Sequence, residues 1–394
     1  MALVKSTRIT SIDILRGLVM VLMALDHVRD YFHYDAAIHD PTDLETTTPF
    51  LFFTRFITHF CAPVFVFLAG TSAFLYGSNK TKPRLFKFLF TRGVWLIILE
   101  IVLNTFIWTF DFTYSFILLQ VIWAIGISMV CLSFFIFLPK KIIAIIGFIL
   151  VGLHNMLDNI VMQGSGLKSV MWYILHQANG IPMGETRFVY FAYPVIPWIG
   201  LMALGYCLGS LYTKGYNADV RKKWLLRLGM GSILLFVILR SLNNYGDLVP
   251  WISQDTTAKT IISFFNVTKY PPSLAYLLIT IGPSLLLLQV FENLKNKISD
   301  FFLVFGRVPL FYYFIHVFII HIGAMIGIAL LNENGMELLS TIAGNPIGGL
   351  ASHGYSLFTT YMVWLALVFL LYFPCKKYMI YKANNKDKSW LSYF

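Results

Sequence analysis

Residues 11–32 read SIDILRGLVMVLMALDHVRDYF. The stretch is long and apolar enough for a membrane-spanning helix, which needs about 20 mostly apolar residues. It nevertheless contains six ionisable side chains, namely Asp13, Arg16, Asp26, His27, Arg29 and Asp30. Such residues are costly at membrane depth and normally face a partner, a cavity or a substrate path. The stretch therefore predicts a membrane helix that also contributes to a functional site.

The composition of the whole chain indicates the same class of protein. Of its 394 residues, 58% are hydrophobic and only 12% are charged, and the mean hydropathy is +0.71. These values lie outside the range of soluble domains. We expect an all-α polytopic membrane protein in which residues 1–394 form a single domain and residues 375–394 form a short basic cytoplasmic tail.

The net charge of +11 is spread over short Lys and Arg clusters between apolar stretches. This pattern encodes membrane topology, so we predict no nucleic-acid partner. The cysteines show neither metal-ligand spacing nor a disulfide framework, and we predict no metal cofactor.

Ten apolar stretches are candidates for membrane spans. They cover about 12–34, 51–77, 93–110, 116–138, 141–158, 190–212, 225–242, 272–291, 301–330 and 355–374. Every second connection is basic, with clusters at 5–8, 80–92, 140–141, 214–227, 295–297 and 376–388. The positive-inside rule then places both termini in the cytoplasm. No cleavable leader is evident at the start, so we expect a bundle of about ten retained helices in a bacterial cytoplasmic (inner) membrane, with the lipid bilayer as a partner.

Arg16 and His27 are eleven residues apart in the first predicted span, close to three helical turns and about 16 Å along the axis. They share one face, with Arg16 toward the cytoplasm and His27 toward the outside. Arg16 is either a ligand for an anion or an internal partner of Asp13. His27 is either a proton acceptor or a packing histidine. Asp26 points about 100° away and is expected to pair with a neighbouring helix, and it remains a candidate catalytic residue.

The second cluster is TRFITHFCAPVFVFLAGTSAF, residues 54–74. Arg55 and His59 share a face at positions i and i+4, and Pro63 is expected to interrupt the helix. His59 is a candidate base or a histidine of the membrane interface, and Arg55 is a candidate cofactor contact. His39, in the acidic loop before this cluster, is a surface residue or a catalytic residue of a loop that folds over the site.

The third cluster is LVFGRVPLFYYFIHVFIIHIG, residues 303–323. It repeats the design of the first span, because Arg307 lies toward the cytoplasm and His316 lies deeper. Arg307 is a candidate cofactor contact, and Tyr313 and His316 are candidate substrate contacts. Lys269, in TKYPPSL at residues 268–274, is a further candidate substrate contact. Gly200, Gly205 and Gly209 predict close helix packing.

Several of these motifs resemble known membrane acyltransferases. The spacing of Arg16 and His27, with ten residues between them, is similar to a pattern of bacterial membrane O-acyltransferases that modify cell-surface sugars. The closer resemblance is to bacterial relatives of heparan-alpha-glucosaminide N-acetyltransferase. It rests on RITSIDILRG (8–17), APVFVFLAGTS (62–72), TKYPPSL (268–274) and FGRVPLFYYFIH (305–316), so it extends over nearly all of the chain.

The resemblance implies a membrane-bound N- or O-acyltransferase. Such an enzyme moves an acyl group, most simply acetyl from acetyl-CoA, from the cytosol to an extracytoplasmic sugar or amino-sugar. Arg16 would then bind the CoA end, and His27 would be the base or acyl relay. The lysosomal enzyme has an amide at the place of His27, and its essential histidine lies in the following loop, where His39 is nearest. The catalytic histidine therefore remains open among His27, His39 and His59.

Buried Arg, His and Asp residues also build proton relays, so a proton-coupled secondary transporter of a small molecule is the alternative. Such transporters commonly contain internal repeats, and no clear second copy of any motif is present. A homodimer is left open as the state of assembly.

Overall fold

The computed structural model describes residues 9–36, 38–331 and 354–392. The predicted basic residues Lys5 and Arg8, and residues 332–353 of the last predicted outer loop, lie outside this part of the chain. The described residues are mostly helical. The α-helices are α1 (Thr10–Phe32), α2 (Pro49–Thr58), α3 (Cys61–Gly77), α4 (Lys82–Leu99), α5 (Thr105–Thr109), α6 (Val121–Phe135), α7 (Lys140–Gly152), α8 (Leu167–Leu175), α9 (Ile196–Leu208), α10 (Ala218–Leu242), α11 (Thr257–Phe265), α12 (Leu274–Phe291), α13 (Lys297–Arg307), α14 (Pro309–Leu331) and α15 (Leu357–Asn384).

Five helical segments in the described ranges are long and apolar enough to cross a membrane. They are Pro49–Gly77, Ala218–Leu242, Leu274–Phe291, Pro309–Ala329 and Leu357–Asn384. The first contains both α2 and α3. This chain is therefore an integral membrane protein, as the composition predicts. The number of ten spans and the cytoplasmic position of both termini stay predictions.

The expectation of an all-α protein is wrong in one detail, because a small sheet lies beside the helices. Strand β1 (Phe116–Leu119) pairs in parallel with β3 (Arg187–Phe191), and β2 (Asn179–Met183) pairs with β3 in antiparallel fashion. The strands are short, and β1 and β3 are rich in the aromatic and branched residues that favour a pleated, half-buried surface. The predicted spans 116–138 and 190–212 thus each begin in a strand region.

Four of the predicted spans also need correction. The helix of the third predicted span starts at Lys82, not at residue 93. It continues at Glu100–Asn104 as a π-helix, in which backbone hydrogen bonds join residues five apart instead of four. In the second span the α2–α3 break falls at His59 and Phe60. Pro63 does not make this break. It lies in the first turn of α3, where the missing N–H has no helical partner to lose.

The predicted span 301–330 is two helices. α13 ends at Arg307 and α14 begins at Pro309, since proline disfavours a helical conformation in the residue before it. The last helix is longer than predicted. α15 continues to Asn384, so half of the predicted tail at 375–394 is helical.

α1 lies at the centre of the bundle, and its closest neighbour is α13. A Cβ atom added to Gly17 would lie 1.9 Å from the carbonyl oxygen of Phe302, and one added to Gly306 would lie 1.9 Å from that of Asp13. Only glycine permits this crossing. The close approach brings Arg307, the last residue of α13, beside the charged first turns of α1.

α3 and α9 form a second close crossing. A Cβ atom added to Gly205 would lie 2.0 Å from the carbonyl oxygen of Phe67, and Thr71 Oγ1 donates to the Gly205 carbonyl at 2.9 Å. Gly200 and Gly209 also face neighbouring atoms closely. The prediction that these three glycines serve helix packing is confirmed.

The α1–α13 crossing can be tested with Gly17→Ala. The added methyl group has no room against backbone atoms, and overpacking of this kind costs about 1–3 kcal/mol or more in free energy of unfolding. We expect a clearly lower midpoint of thermal unfolding in detergent. The matched control is Gly231→Ala in α10, where nothing lies within 4 Å of the added atom. An unchanged midpoint for Gly17→Ala would contradict the described crossing.

Candidate active site

Arg16 lies in a polar group formed by three helices. Its Nη1 donates to Asp13 Oδ1 at 3.0 Å and to the Gly306 carbonyl at 3.3 Å, and its Nη2 donates to Ser72 Oγ at 2.9 Å. Arg307 Nε lies 3.7 Å from Asp13 Oδ2. The predicted salt bridge between Arg16 and Asp13 is therefore present, and it is one part of a larger group.

The charged side chains of this group are two arginines and one aspartate. Two guanidinium groups share the carboxylate of Asp13, so the group formed by Asp13, Arg16, Ser72 and Arg307 has one net positive charge. The side chains of Arg16 and Arg307 are 17% and 21% exposed, whereas that of Asp13 is 5% exposed. The arrangement thus presents positive charge at its accessible edge, which is what an anionic ligand requires.

His27 is paired with a histidine from the other end of the chain. His27 Nδ1 lies 2.8 Å from His316 Nε2, and the two rings are stacked with centroids 4.9 Å apart. His316 is completely buried, whereas His27 retains 9% exposure. His27 is therefore the more accessible ring of the pair.

The hydrogen bonds fix the protons on both neutral rings. His316 Nδ1 lies 2.7 Å from the carbonyl oxygen of Tyr312, and a carbonyl can only accept, so His316 Nδ1 carries the proton. His316 Nε2 is then an acceptor, and His27 Nδ1 must be the donor. In this state His27 Nε2 has a free lone pair, and it has no hydrogen-bond partner in residues 9–36, 38–331 and 354–392. A basic nitrogen is thus oriented away from its supporting histidine.

Aromatic side chains form the wall around His27. The Trp108 and His27 rings are nearly perpendicular with centroids 4.9 Å apart, and the centroid of the Tyr313 ring lies 6.0 Å from that of His27. Trp108 Nε1 donates to Tyr313 Oη at 3.1 Å, and Tyr31 Oη donates to the Trp108 carbonyl at 3.0 Å. Tyr313, predicted as a substrate contact, therefore lies beside His27, while Trp108 was not predicted.

Asp26 has the neighbouring-helix partner that the sequence predicted. Its Oδ2 accepts from Arg55 Nη1 at 2.5 Å, and its Oδ1 accepts from Thr58 Oγ1 at 2.9 Å. Arg29 Nη2 also lies 3.0 Å from Asp26 Oδ1. These contacts occupy both carboxylate oxygens. They also place Arg55, a predicted cofactor contact, with Asp26 rather than with Arg16.

The other two candidate histidines differ in their surroundings. His59 is buried at the break between α2 and α3, its Nδ1 has no partner among the described side chains, and its carbonyl accepts from Tyr276 Oη at 2.8 Å. His39 lies in the exposed loop after α1, where its Nδ1 is 2.7 Å from Asp35 Oδ1. Neither ring is bonded to His27.

Lys269 lies in the segment before α12. Its ammonium lies over the Tyr270 ring, 5.1 Å from the centroid. The structure brings Tyr313 and His316 to the neighbourhood of His27. Arg16 and Arg307 are gathered separately, at the other end of α1.

Glu100 and Asn104 are buried polar residues that the sequence analysis passed over. They bound the π-helix, and Glu100 Oε1 accepts from Asn104 Nδ2 at 3.2 Å and from the Gln120 backbone N–H at 2.6 Å. π-helices recur at functional sites. The rule applied to α1, that an ionisable residue inside an apolar span deserves a functional explanation, would have found Glu100.

A surface pocket lies beside the loop that carries His39. It is lined by residues of the loop after α1 and of the segment around α11, including Asp40, Asp43, Glu45 and Gln254. None of the predicted site residues lines it. The chemistry expected of the chain is therefore sought along α1, not in this pocket.

Comparison with known proteins agrees with the resemblance found in the motifs. Residues 8–251 match the family model described as "Heparan-alpha-glucosaminide N-acetyltransferase, catalytic". This range includes α1, α2, α3 and the π-helix, and it covers more than half of the chain. No curated protein matches the chain. The family is one of acetyltransferases, and this chain belongs to it.

Proposed function

We propose that the protein transfers an acetyl group from cytosolic acetyl-CoA to a sugar or amino-sugar on the opposite face of the membrane. Family membership indicates an acetyltransferase, and the donor, the direction and the acceptor are our proposal. The observation that carries it is the free Nε2 lone pair of His27, oriented by His316, on the same helix as the positively charged Arg16 group.

The Arg16 group would bind the phosphates of CoA. Guanidinium groups make short, charge-assisted bonds to phosphate, often in a bidentate manner. Arg16 and Arg307 lie together beside Asp13, and both side chains are partly exposed, so two guanidinium groups are within reach of one ligand. The distance along α1 from Arg16 to His27 is about 16 Å, and the pantetheine arm of CoA is of the right order to span it.

His27 would be the general base. Its Nε2 removes a proton from the attacking amine or hydroxyl as the new bond to the acetyl carbon forms. The C–S bond of the thioester then breaks, and the proton passes from the imidazolium to the CoA sulfur. The products are the N- or O-acetylated acceptor and CoA, so atoms and charge balance without a metal or a further reactant.

His316 would position His27 and support its charge. By accepting from His27 Nδ1, it fixes the ring orientation and stabilises the cation that forms during transfer, in the way that a third group orients the base in other acyl-transfer sites. His316 is completely buried. We therefore assign it a positioning role instead of the substrate contact predicted from sequence.

Lys269 and Tyr313 would complete the acceptor end. A positive charge near His27 stabilises the oxyanion of the tetrahedral intermediate, and Lys269 provides it from the segment before α12. Tyr313 and Trp108 offer an aromatic surface. Such surfaces suit the apolar face of a sugar ring.

The proton-coupled transporter remains the alternative from sequence. Its buried histidine pair would serve as a proton relay. The family match favours transfer chemistry, and the two functions separate experimentally, because only an acetyltransferase consumes acetyl-CoA.

The donor end predicts that Arg16→Ala weakens acetyl-CoA binding by purified protein in detergent. Loss of a hydrogen bond to a charged group is worth about 1.5–3 kcal/mol, or about 10- to 100-fold in Kd. Arg16→Lys should be intermediate, because it retains the charge and loses the planar fork. The control is Arg84→Ala, an exposed arginine on the same predicted face of the membrane. Equal weakening by Arg84→Ala would indicate nonspecific attraction and not a site at Arg16.

The base assignment predicts that His27→Asn lowers kcat by about 10²- to 10⁴-fold, the usual contribution of a general base, while Kd for acetyl-CoA stays near that of the wild type. His316→Asn should lower kcat less and leave the KM for acetyl-CoA unchanged. His39→Asn should retain turnover. The measurement is release of CoA in the presence of glucosamine. Loss of turnover in His39→Asn together with normal turnover in His27→Asn would reassign the base to His39.

A further inference from the structure

Three metal-ligating side chains come together outside the candidate active site. His154 and Asp158 follow α7 at positions i and i+4, and His176 follows α8. One ligand atom from each lies within 4.8 Å of the others. The residues belong to the connection between α7 and α9, which the charge pattern places outside the membrane, and they are not among the residues proposed for acyl transfer.

The histidines of this cluster are buried without enough partners. His154 and His176 are each 2% exposed. Both ring nitrogens of His154, and Nδ1 of His176, have no hydrogen-bond partner among the described residues. Burial of an unpaired polar atom costs about 1–3 kcal/mol in proteins. The His154 ring, with both nitrogens buried and unpaired, is therefore a candidate to bind a ligand through a ring nitrogen.

The carboxylate of the cluster is already oriented. Asp158 Oδ1 lies 3.0 Å from His176 Nε2, and Asp158 Oδ2 accepts from Asn155 Nδ2 at 2.7 Å. The carbonyl oxygen of the Asn155 side chain in turn accepts from the backbone N–H of Leu274 at 2.9 Å. Such outer contacts to a ligating carboxylate are typical of metal sites.

We propose that His154, Asp158 and His176 bind a divalent transition-metal ion, with Zn²⁺ as the best match. Zinc takes imidazole nitrogen and carboxylate oxygen in tetrahedral sites, commonly with three protein ligands and one water. Two imidazoles disfavour Ca²⁺ and Mg²⁺, which prefer oxygen ligands. This proposal does not rest on the proposed acyl transfer, and it departs from the expectation of no metal drawn from the sequence.

The ion would join two segments of the predicted outer face. It links the turn after α7 to the end of α8, and the Asn155 bonds extend this link to the first turn of α12. The segment that carries Lys269 leads directly into that turn. Metal binding would thus stabilise the outer end of the bundle.

The test uses full-length protein without a polyhistidine tag, purified in detergent, stripped with a chelator and titrated with Co²⁺. We expect one Co²⁺ per chain, visible absorption bands of a tetrahedral nitrogen and oxygen site, and loss of these bands on addition of Zn²⁺. Zn²⁺ should also raise the midpoint of thermal unfolding of the stripped protein.

The variants separate this site from other histidines. His154→Ala and Asp158→Asn should each abolish the visible bands and the response to Zn²⁺. The matched control is His39→Ala, which removes an exposed histidine that is also paired with a carboxylate four residues away. It should bind metal as the wild type does.

Two outcomes would overturn the proposal. One is that the stripped wild type shows no visible bands and no Zn²⁺ response, which would make the cluster a packed histidine pair. The other is that His154→Ala and Asp158→Asn bind Co²⁺ with unchanged bands. X-ray absorption of the Zn²⁺-loaded wild type gives an independent reading if a variant fails to fold, since two imidazoles must be among the ligands.

Discussion

The arrangement of this protein depends on the cost of placing charged side chains of α1 inside an apolar bundle. A charge without a partner in such surroundings is strongly unfavourable. Asp13 therefore meets Arg307 of α13, Arg16 meets Ser72 of α3, and Asp26 meets Arg55 and Thr58 of α2. Each contact selects a neighbouring helix. The polar residues of α1 thus specify which helices surround it.

The same constraint bears on how α1 would serve both ends of the proposed reaction. At one end of α1, Arg16 and Arg307 lie beside Asp13. At the other end, Asp26 is paired with Arg29 and Arg55. His27 follows Asp26 directly in the chain, yet its ring is turned to His316 of α14. Because a neutral histidine pair needs only one supporting carbonyl, that of Tyr312, the site obtains an oriented base without burying another carboxylate.

The sequence predicted the features that depend on local spacing. The separation of Arg16 and His27, the Arg16–Asp13 pair and the packing glycines of α9 all follow from helical periodicity. The similar order of residues in the first span and in residues 303–323 indicated a second basic residue, Arg307, and a second buried histidine, His316. The sequence could not predict the hydrogen bond between His27 and His316. These residues are 289 positions apart, and a sequence pattern alone does not determine which helices are neighbours.

Other features depended on details that hydropathy does not report. The break before Pro309 separates Arg307 from the helix of His316, although the apolar run reads as one span. The sheet formed by β1, β2 and β3 joins segments that are distant in the chain, and the His154, Asp158 and His176 cluster joins two turns. The break before Pro309 is a local effect of the proline. The contacts that form the sheet and the cluster are tertiary, so periodicity within one segment carries no signal for them.

The most direct test of the account is the sidedness of transfer. The protein is reconstituted into vesicles in one orientation, with the Arg84 face outward as checked by labelling, and glucosamine is sealed inside. Acetyl-CoA labelled in the acetyl group is added outside. The account predicts labelled N-acetylglucosamine inside the vesicles and an equal amount of free CoA outside. Product formed only when donor and acceptor share one compartment, or no product from well-folded protein, would contradict it.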